Sequence, residues 1–146
     1  MKYLAYGANM NKEIMKFRCP DAKFLGTGVL ENFRLMFKGE LPYSYATIEE
    51  WNCFKVPYVL WEITLEDEKK LDKFEGYPIH YRKHTALVEF CGEKLLAMFY
   101  QKPEEQSVNP PMTHYYAALA ESYDKYGFDM EILKTAFEFS DFKLWT

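Results

Sequence analysis

The amino-terminal part of the chain changes from a strand pattern to a helical pattern across one turn. Lys2 to Tyr6 is apolar over a strand's length, and Met10, Ile14 and Phe17 then recur at the i, i+4, i+7 spacing of one helix face. The segment "RCPD" ends that helix, because the residue before a proline disfavours helical backbone. The pattern therefore predicts a strand, a turn and a helix, in that order.

Further strand patterns fill the middle of the chain. The stretch "FLGTGVLENFRLMF" has the length of one bent strand, and the two glycines of "GTG" indicate a bulge or a close backbone approach. "YATIEEW" and "VPYVLWEIT" predict two more strands, with Pro57 at the start of the second, where a missing N–H is tolerated. Tyr81 to Phe90 and Lys94 to Tyr100 flank "CGEK" and predict a hairpin. The chain thus has about six predicted strands.

Helical patterns interrupt and follow the strands. Thr64 begins one helix, with Asp67 placed as in a capping box and Gly76 where a left-handed residue commonly ends a helix. "MTHYYAALAESYDKY" predicts a helix ending at Gly127, and "DMEILKTAFEF" predicts a shorter one. Strands of antiparallel type with inserted and appended helices favour an α+β fold around a strongly curled sheet or a small mixed or antiparallel β-barrel, flanked by helices. A chain of 146 residues fits one domain, residues 1–146.

Charge and composition exclude several classes of partner. The formal net charge is −4 and basic residues are scattered among acidic ones, so we expect neither nucleic acid nor a membrane as a partner. No apolar run approaches the ~20 residues of a spanning helix, and the first residues lack a signal-peptide pattern, so we predict a cytoplasmic protein. Cys19, Cys53 and Cys91 are widely spaced and odd in number, which argues against a disulfide framework or a cysteine zinc site. We expect three buried or half-buried thiols.

The turn "YGANM", residues 6–10, is the first candidate for function. Gly7, Ala8 and Asn9 are small or tolerate left-handed backbone, and they join the end of a strand to the start of a helix. Such a turn can present successive backbone N–H groups to an anion or an oxyanion. It is also typical of a tight corner in which Asn9 or Asn11 caps the helix. The turn alone leaves both interpretations open.

Glu75 is the second candidate, because it lies on or beside the apolar stripe of its helix. It follows Leu71 by four residues and Phe74 by one, away from the lysine-rich face. It also occupies the last turn, where free carbonyl groups disfavour a carboxylate. Burial and the helix end both raise the pKa of such a group, as a general acid or base working near neutrality requires. A structural ion pair with Arg82 or Lys83 is the alternative interpretation.

Four segments in a fixed order resemble the γ-glutamylcyclotransferase-like family, also called AIG2-like: "YGANM", "RCPDAKFLGTGVLENFRLMF", "LDKFEGYPIHYRK" and "PPMTHYYAAL". The resemblance covers nearly the whole chain, and its most specific parts are the Y-G-[SA]-N-x turn and the L-D-x-x-E-G helix end. Ala8 departs from the serine that the family most often has. A hydroxyl is therefore missing there, while backbone donors are unaffected.

The resemblance implies a compact β-barrel flanked by helices that converts a γ-glutamyl amine or peptide to 5-oxoproline and a free amine. Glu75 corresponds to the catalytic acid/base of the family. The loop that grips the γ-glutamyl group corresponds to Tyr6, Gly7, Ala8, Asn9 and Met10. The pocket tyrosines correspond to Tyr81 and Tyr115, with Tyr77 and Tyr116 as the alternatives. The sequence leaves open whether the loop amides bind the substrate's α-carboxylate or the developing oxyanion.

Such a cyclisation uses the substrate's own α-amine as the nucleophile. The protein must fold the γ-glutamyl chain, remove an ammonium proton, hold the tetrahedral oxygen and protonate the leaving amine, which requires no protein nucleophile, metal or cofactor. His80 and His84 lack a clear third ligand, so we expect no metal site. We expect a small-molecule γ-glutamyl substrate and a monomer or homodimer. A non-catalytic binding or adaptor protein of the same fold is the main alternative, and a lyase acting on another γ-glutamyl conjugate is a third hypothesis.

Overall fold

The computed structural model of the protein describes residues 1–141. This part of the chain forms five strands, four α-helices and one 3-10 turn at Ala8–Met10. The strands are β1 (Lys2–Ala5), β2 (Lys23–Lys38), β3 (Tyr45–Glu62), β4 (Arg82–Phe90) and β5 (Glu93–Gln101). The helices are α1 (Lys12–Arg18), α2 (Leu65–Glu75), α3 (Thr113–Tyr126) and α4 (Met130–Asp141). None of the described helices is long and apolar enough to cross a membrane.

The strands form a mixed sheet in the order β2-β3-β1-β5-β4. β1 pairs antiparallel with β3 and parallel with β5, and β4 and β5 form the predicted antiparallel hairpin. The α+β class with a mixed sheet is confirmed. Within residues 1–141 the sheet has β2 and β4 at its two edges, so it is not closed and "barrel" describes it only loosely. Closure requires the edge strands to pair with each other, which a pattern of apolar residues does not specify.

β3 joins two strands that the sequence predicts separately. Between them Cys53 has φ 72, and its N–H donates to Asn32 Oδ1 at 3.2 Å, where Asn32 on β2 also has a positive φ of 60. A local left-handed residue bends a strand without ending it, as at a β-bulge. The predicted number of strands was therefore wrong by one, and Pro57 lies inside β3 instead of at the start of a strand.

The described chain forms two compact units. The first comprises Met1–Gly28 and Tyr58–Pro103, and the second comprises Val29–Pro57 and the chain from Glu104 onward. Buried side chains form a core in each of them: Leu4, Met15, Leu60 and Leu71 in the first, and Phe37, Ile48, Leu119 and Leu133 in the second. A single domain over residues 1–146 stays a prediction.

The buried face of α1 differs from the predicted one. Met15 is fully buried, whereas Phe17 is 82% exposed. The helix begins at Lys12, after Asn11 caps it by accepting from the Ile14 N–H at 3.0 Å, and Met10 belongs to the preceding 3-10 turn. The predicted apolar face of Met10, Ile14 and Phe17 therefore begins in a 3-10 turn and continues in an α-helix. The number of residues per turn differs between the two, so the i, i+4, i+7 spacing does not mark one face.

The cysteines are less buried than predicted. Cys19 is buried, but Cys53 and Cys91 are exposed, and all three are free thiols. Cys53 lies at the bend in β3, and Cys91 is the first residue of the β4–β5 turn with φ 51. Both exposed cysteines thus occupy left-handed backbone positions, which hydropathy does not reveal.

Both predicted ends of α2 are confirmed. Thr64 Oγ1 accepts from the Asp67 N–H at 3.1 Å, and the Thr64 N–H donates to Asp67 Oδ2 at 3.0 Å, which completes the capping box. Gly76 ends the helix with φ 67, and a Cβ there would lie 2.4 Å from the His80 ring. Since these two residues fix the length of α2, Glu75 becomes its last residue.

Replacing Thr64 by alanine removes the side-chain acceptor of the capping box. We expect the Thr64→Ala variant to lose about 0.5–2 kcal/mol of unfolding free energy in urea denaturation. Thr64→Ser keeps the hydroxyl and should stay within about 0.5 kcal/mol of the wild type. Equal losses in both variants would contradict the capping role.

Candidate active site

The carboxyl group of Glu75 is held in a half-buried position at the end of α2. Asn9 Nδ2 donates to Glu75 Oε1 at 3.3 Å, which joins the opening turn to the helix end. Burial raises the pKa of Glu75 from its ordinary value of 4.5 to about 7, and the positive charges of Arg18 and Lys102 oppose that shift. The predicted direction of the pKa is thus confirmed, while the catalytic role of Glu75 stays a prediction.

The side chain and the backbone carbonyl of Asn9 are held by hydrogen bonds. Asn9 is 3% exposed, and its Nδ2 also donates to the Tyr3 hydroxyl at 2.9 Å. Its Oδ1 accepts from Arg18 Nη1 at 2.8 Å, and its backbone carbonyl accepts from Trp61 Nε1 at 3.0 Å. An amide has two donors and one acceptor oxygen, so these partners determine which way the side chain faces. The orientation directs an N–H toward Glu75.

The opening turn is both a corner and part of the site. Its internal bonds are donated by Met10 to the Gly7 carbonyl at 3.0 Å and by Asn11 to the Ala8 carbonyl at 3.1 Å. The amides of Ala8 and Asn9 precede the first internally bonded position, as the leading amides of any helical turn do. Asn11 is the helix cap, which leaves the Asn9 side chain to the network around Glu75.

A second network ties the end of α2 to the sheet. The Tyr6 hydroxyl donates to the Tyr100 carbonyl, and the Tyr100 hydroxyl donates to Asp72 Oδ1 at 2.7 Å. Lys83 on β4 donates to Asp72 Oδ2 at 3.0 Å and to Glu68 at 2.9 Å. Asp72 lies about one helical turn before Glu75, so these bonds hold the last turn of α2, which carries Glu75, against β4 and β5. Lys83 thus pairs with Glu68 and Asp72, which lie earlier in α2. The alternative interpretation had paired Glu75 with Arg82 or Lys83.

Two basic side chains act on the Glu75 carboxyl. Arg18, at the end of α1, places its guanidinium over the Phe74 ring at 4.9 Å. Lys102, which follows β5, is 5% exposed, and its ammonium lies 5.3 Å from the centre of the Tyr81 ring. Burial lowers the pKa of Lys102, and the charge of Glu75 counteracts this. The positive charges of Arg18 and Lys102 therefore both favour the ionised form of Glu75.

The predicted tyrosines fall in different parts of the chain. Tyr81 lies in the first unit beside Lys102, and its alternative, Tyr77, receives the Lys83 ammonium over its ring at 4.3 Å. Tyr115 lies in the second unit, where its hydroxyl accepts from the Ala46 N–H at 3.1 Å. The alternative to Tyr115, Tyr116, packs in the second unit against Phe37 and Phe137. A role for Tyr115 in a pocket stays a prediction.

Several polar residues of the site were not found from the sequence: Tyr3, Arg18, Asp72, Tyr100 and Lys102. Tyr3 and Tyr100 are indistinguishable from core aromatics by pattern, and their rings do pack edge to face at 5.9 Å. Asp72 is the one residue with a local signal, because it belongs to the L-D-x-x-E-G motif. Among the described residues no group of three or more His, Cys, Asp or Glu side chains could hold a metal ion.

The arrangement has a definite chemical capacity. A carboxyl group with a pKa near 7 can both accept and donate a proton at neutral pH. Burial raises the pKa of the Tyr3 phenol well above its ordinary range, so Tyr3 stays protonated as a neutral hydrogen-bonding group. The site thus suits proton transfer near neutral pH.

Comparison with known proteins gives consistent results. The family described as "Gamma-glutamyl cyclotransferase, AIG2-like" matches residues 3–119. A gamma-glutamylcyclotransferase of Bos taurus is 28% identical over 156 residues, which cover 97% of this chain and 80% of the bovine protein. A solved gamma-glutamyl cyclotransferase matches with TM-score 0.80 at 23% identity, covering 93% of this chain and 85% of that one. An uncharacterized protein from Homo sapiens matches with TM-score 0.78 at 23% identity, covering 92% and 85%. The two structures share the fold of this chain.

The raised pKa of Glu75 makes stability depend on pH. A carboxyl whose pKa is higher in the folded state stabilises the fold fully below pH 4.5, and this contribution is lost as the pH rises through about 7. Relative to Glu75→Gln, the wild type should therefore lose up to about 3 kcal/mol of unfolding free energy between pH 4.5 and 8. Urea denaturation of both proteins across this range measures the difference. A difference that stays constant with pH would show that Glu75 titrates normally.

Proposed function

The chain belongs to the gamma-glutamyl cyclotransferase, AIG2-like family, and from that premise we propose that it cyclises a γ-glutamyl amine or peptide to 5-oxoproline and releases the free amine. One observation carries the proposal. The bond from Asn9 to the half-buried Glu75 joins the turn and the helix end that are the most specific motifs of the sequence, and the pKa of that carboxyl is about 7. This is the protonation behaviour that the reaction needs.

In the proposed reaction Glu75 transfers protons from the substrate's α-ammonium group to the leaving nitrogen. Its ionised carboxylate removes a proton from the substrate's α-ammonium group, and the freed amine attacks the γ-carbonyl carbon. A new C–N bond closes the five-membered ring, and the carbonyl oxygen becomes an oxyanion. Glu75 then gives the proton to the leaving nitrogen as the old C–N bond breaks. The ring nitrogen still carries a second proton, which Glu75 passes to the released amine, so the products are the neutral lactam and an ammonium ion. Nothing is oxidised or reduced, and the carboxylate is regenerated.

The pKa of Glu75 suits both halves of this cycle. A stronger acid would be a poor base for an ammonium group, and a weaker acid would rarely be ionised at neutral pH. Proton transfer by a positioned group of matched pKa accelerates a reaction by roughly 10²–10⁴. The hydrogen bond from Asn9 and the bonds through Asp72 hold the carboxyl in place, so little reorganisation is needed during the reaction.

The loop from Tyr6 to Met10 is proposed to hold the γ-glutamyl group. Two features of the loop support this role. The Asn9 side chain donates to Glu75, and the backbone amides of Ala8 and Asn9 precede the first internally bonded position of the turn. Met10 contributes as a buried anchor, since its amide is bonded to the Gly7 carbonyl and its side chain is fully buried. A cytoplasmic location and a monomeric or homodimeric state also stay predictions.

A direct assay tests the proposed activity. The purified protein is incubated with a panel of γ-glutamyl peptides, γ-glutamyl amines and glutathione, and 5-oxoproline is measured. We expect at least one member to give 5-oxoproline well above the buffer control. No product from any member would favour the alternative, a non-catalytic protein that binds a small molecule in the same fold.

The variant Glu75→Gln removes the titrating group but keeps an oxygen that can accept from Asn9. We expect its turnover to fall by about 10²–10⁴ while its circular dichroism spectrum stays that of the wild type. Glu66→Gln is the matched control, because Glu66 is an exposed acid in the first turn of the same helix. A Glu75→Gln variant that melts far earlier but still turns over would mean that Glu75 is structural.

A further inference from the structure

The side-chain amide of Asn9 can complete its hydrogen bonds to Tyr3 and Glu75 in two orientations. In the observed one, Nδ2 donates to the Tyr3 hydroxyl at 2.9 Å and to Glu75 Oε1 at 3.3 Å. Rotation of the amide by half a turn would place Oδ1 there instead. A hydroxyl can donate or accept, and a carboxyl group can donate as well once it is protonated. Tyr3 and Glu75 are therefore compatible with either orientation.

Arg18 is compatible with the observed orientation alone. Its Nη1 donates to Asn9 Oδ1 at 2.8 Å. A guanidinium has N–H donors and no acceptor, so the amide nitrogen cannot take the place of that oxygen. Trp61 Nε1 donates to the backbone carbonyl of Asn9 at 3.0 Å, which fixes the residue but not the orientation of its amide. Among the partners of Asn9 within residues 1–141, Arg18 is thus the one that distinguishes the two orientations.

Arg18 is itself held against the helix that carries Glu75. It is the last residue of α1, and its guanidinium lies 4.9 Å from the centre of the Phe74 ring on α2. A cation over an aromatic ring is attracted by the negative face of the ring. Arg18 therefore contacts the opening turn through Asn9 and the last turn of α2 through Phe74.

The two orientations have opposite effects on Glu75. When Nδ2 faces the carboxyl group, an N–H donor stabilises the ionised form. When Oδ1 faces it, Glu75 must be protonated to make a hydrogen bond, and an ionised carboxylate would meet another oxygen. A base that starts the proposed cyclisation has to be ionised near neutral pH. The observed orientation is the one that favours such a base.

We propose that Arg18 is a positioning residue that holds the Asn9 amide in the orientation that donates to Glu75, and so keeps Glu75 available as a base. The inference rests on the proposed function and deepens it. It gives Arg18 a role that is exerted through Asn9 and not through contact with the substrate. It also makes the orientation of one amide, together with burial, a determinant of when Glu75 ionises.

Other titratable groups also act on Glu75 or respond to its charge. They are the phenols of Tyr3 on β1 and Tyr100 on β5, and the ammonium of Lys102 after β5. Burial raises the pKa of both phenols well above their ordinary range, so both stay neutral near pH 7. On α2 itself, Asp72 is bonded to the Tyr100 hydroxyl. All four residues are retained in every variant of the test.

A double-mutant cycle tests whether Arg18 acts through Asn9. The pKa of Glu75 is measured from its carboxyl carbon-13 chemical shift in the wild type, Arg18→Met, Asn9→Leu and the double variant. Methionine keeps a long side chain beside Phe74, and leucine approximates the shape of asparagine without its polar atoms. With Asn9 present, we expect Arg18→Met to raise the pKa of Glu75 by about 2, because charge and orientation are both lost. In the Asn9→Leu background only the charge is lost, so the rise should be smaller by at least about 1.

Two further variants serve as controls. Arg18→Lys keeps a cation that donates and cannot accept, so the pKa of Glu75 should stay within about 0.5 of the wild-type value. Lys16→Met removes an exposed cation from the same helix and should change that pKa by less than about 0.3. If Arg18→Met raises the pKa equally in both backgrounds, Arg18 acts through its charge alone and the inference is overturned. If a variant does not fold, Arg18→Gln or Asn9→Ala replaces it, with the same expectations.

The pH dependence of kcat/KM extends the test to the reaction. For Arg18→Met we expect the acid limb to move to higher pH by as much as the carbon-13 titration does, with at least about a tenfold fall at pH 7. An equal fall at every pH would indicate a general disturbance of the site and would overturn the inference. The carbon-13 titration needs no substrate. Coupling between Arg18 and Asn9 in a protein that forms no 5-oxoproline would leave the orienting role standing and remove the proposed function.

Discussion

The candidate site depends on a Glu75 carboxyl that is held partly out of water at the end of a helix. Burial and the free carbonyl groups of the last helical turn both disfavour the ionised form of Glu75. The ionised carboxylate therefore needs hydrogen-bond donors or positive charges nearby. Asn9 supplies a hydrogen bond at 3.3 Å, and Arg18 and Lys102 supply positive charge. These partners come from the opening turn, α1 and the segment after β5, so three separate elements contribute to the surroundings of one half-buried acid.

Two kinds of contact hold this acid in place. The capping box at Thr64 and the left-handed Gly76 set where α2 begins and ends. The bonds from Tyr100 and Lys83 to Asp72 then attach the last turns of α2 to β5 and β4. Asn9 is fixed independently by Trp61 and Arg18. A site assembled from separately anchored parts is pre-organised, which is how proteins make a proton transfer or a developing charge less costly.

The sequence predicted the parts of the site that have local signals. The signal for Glu75 is an acid beside the apolar stripe, in the last turn of its helix, where a carboxylate is disfavoured. The signal for Asn9 is its place among small or turn-forming residues that join a strand to a helix. Arg18 and Lys102 escaped prediction because long side chains reach across elements, and no spacing along the chain records such a contact. The open sheet and the continuous β3 escaped prediction for a similar reason, since edge pairing and a bend at Cys53 depend on neighbouring strands.

The pH dependence of kcat/KM on a γ-glutamyl substrate tests the central claim most directly. If the desolvated Glu75 is the proton-transfer group, kcat/KM should rise with pH along an acid limb with an apparent pKa of about 7. Carbon-13 chemical shifts of the Glu75 carboxyl, assigned with Glu75→Gln, should titrate with the same pKa. A profile without an inflection between pH 6 and 8, or a Glu75 carboxyl that titrates near 4.5, would contradict the account.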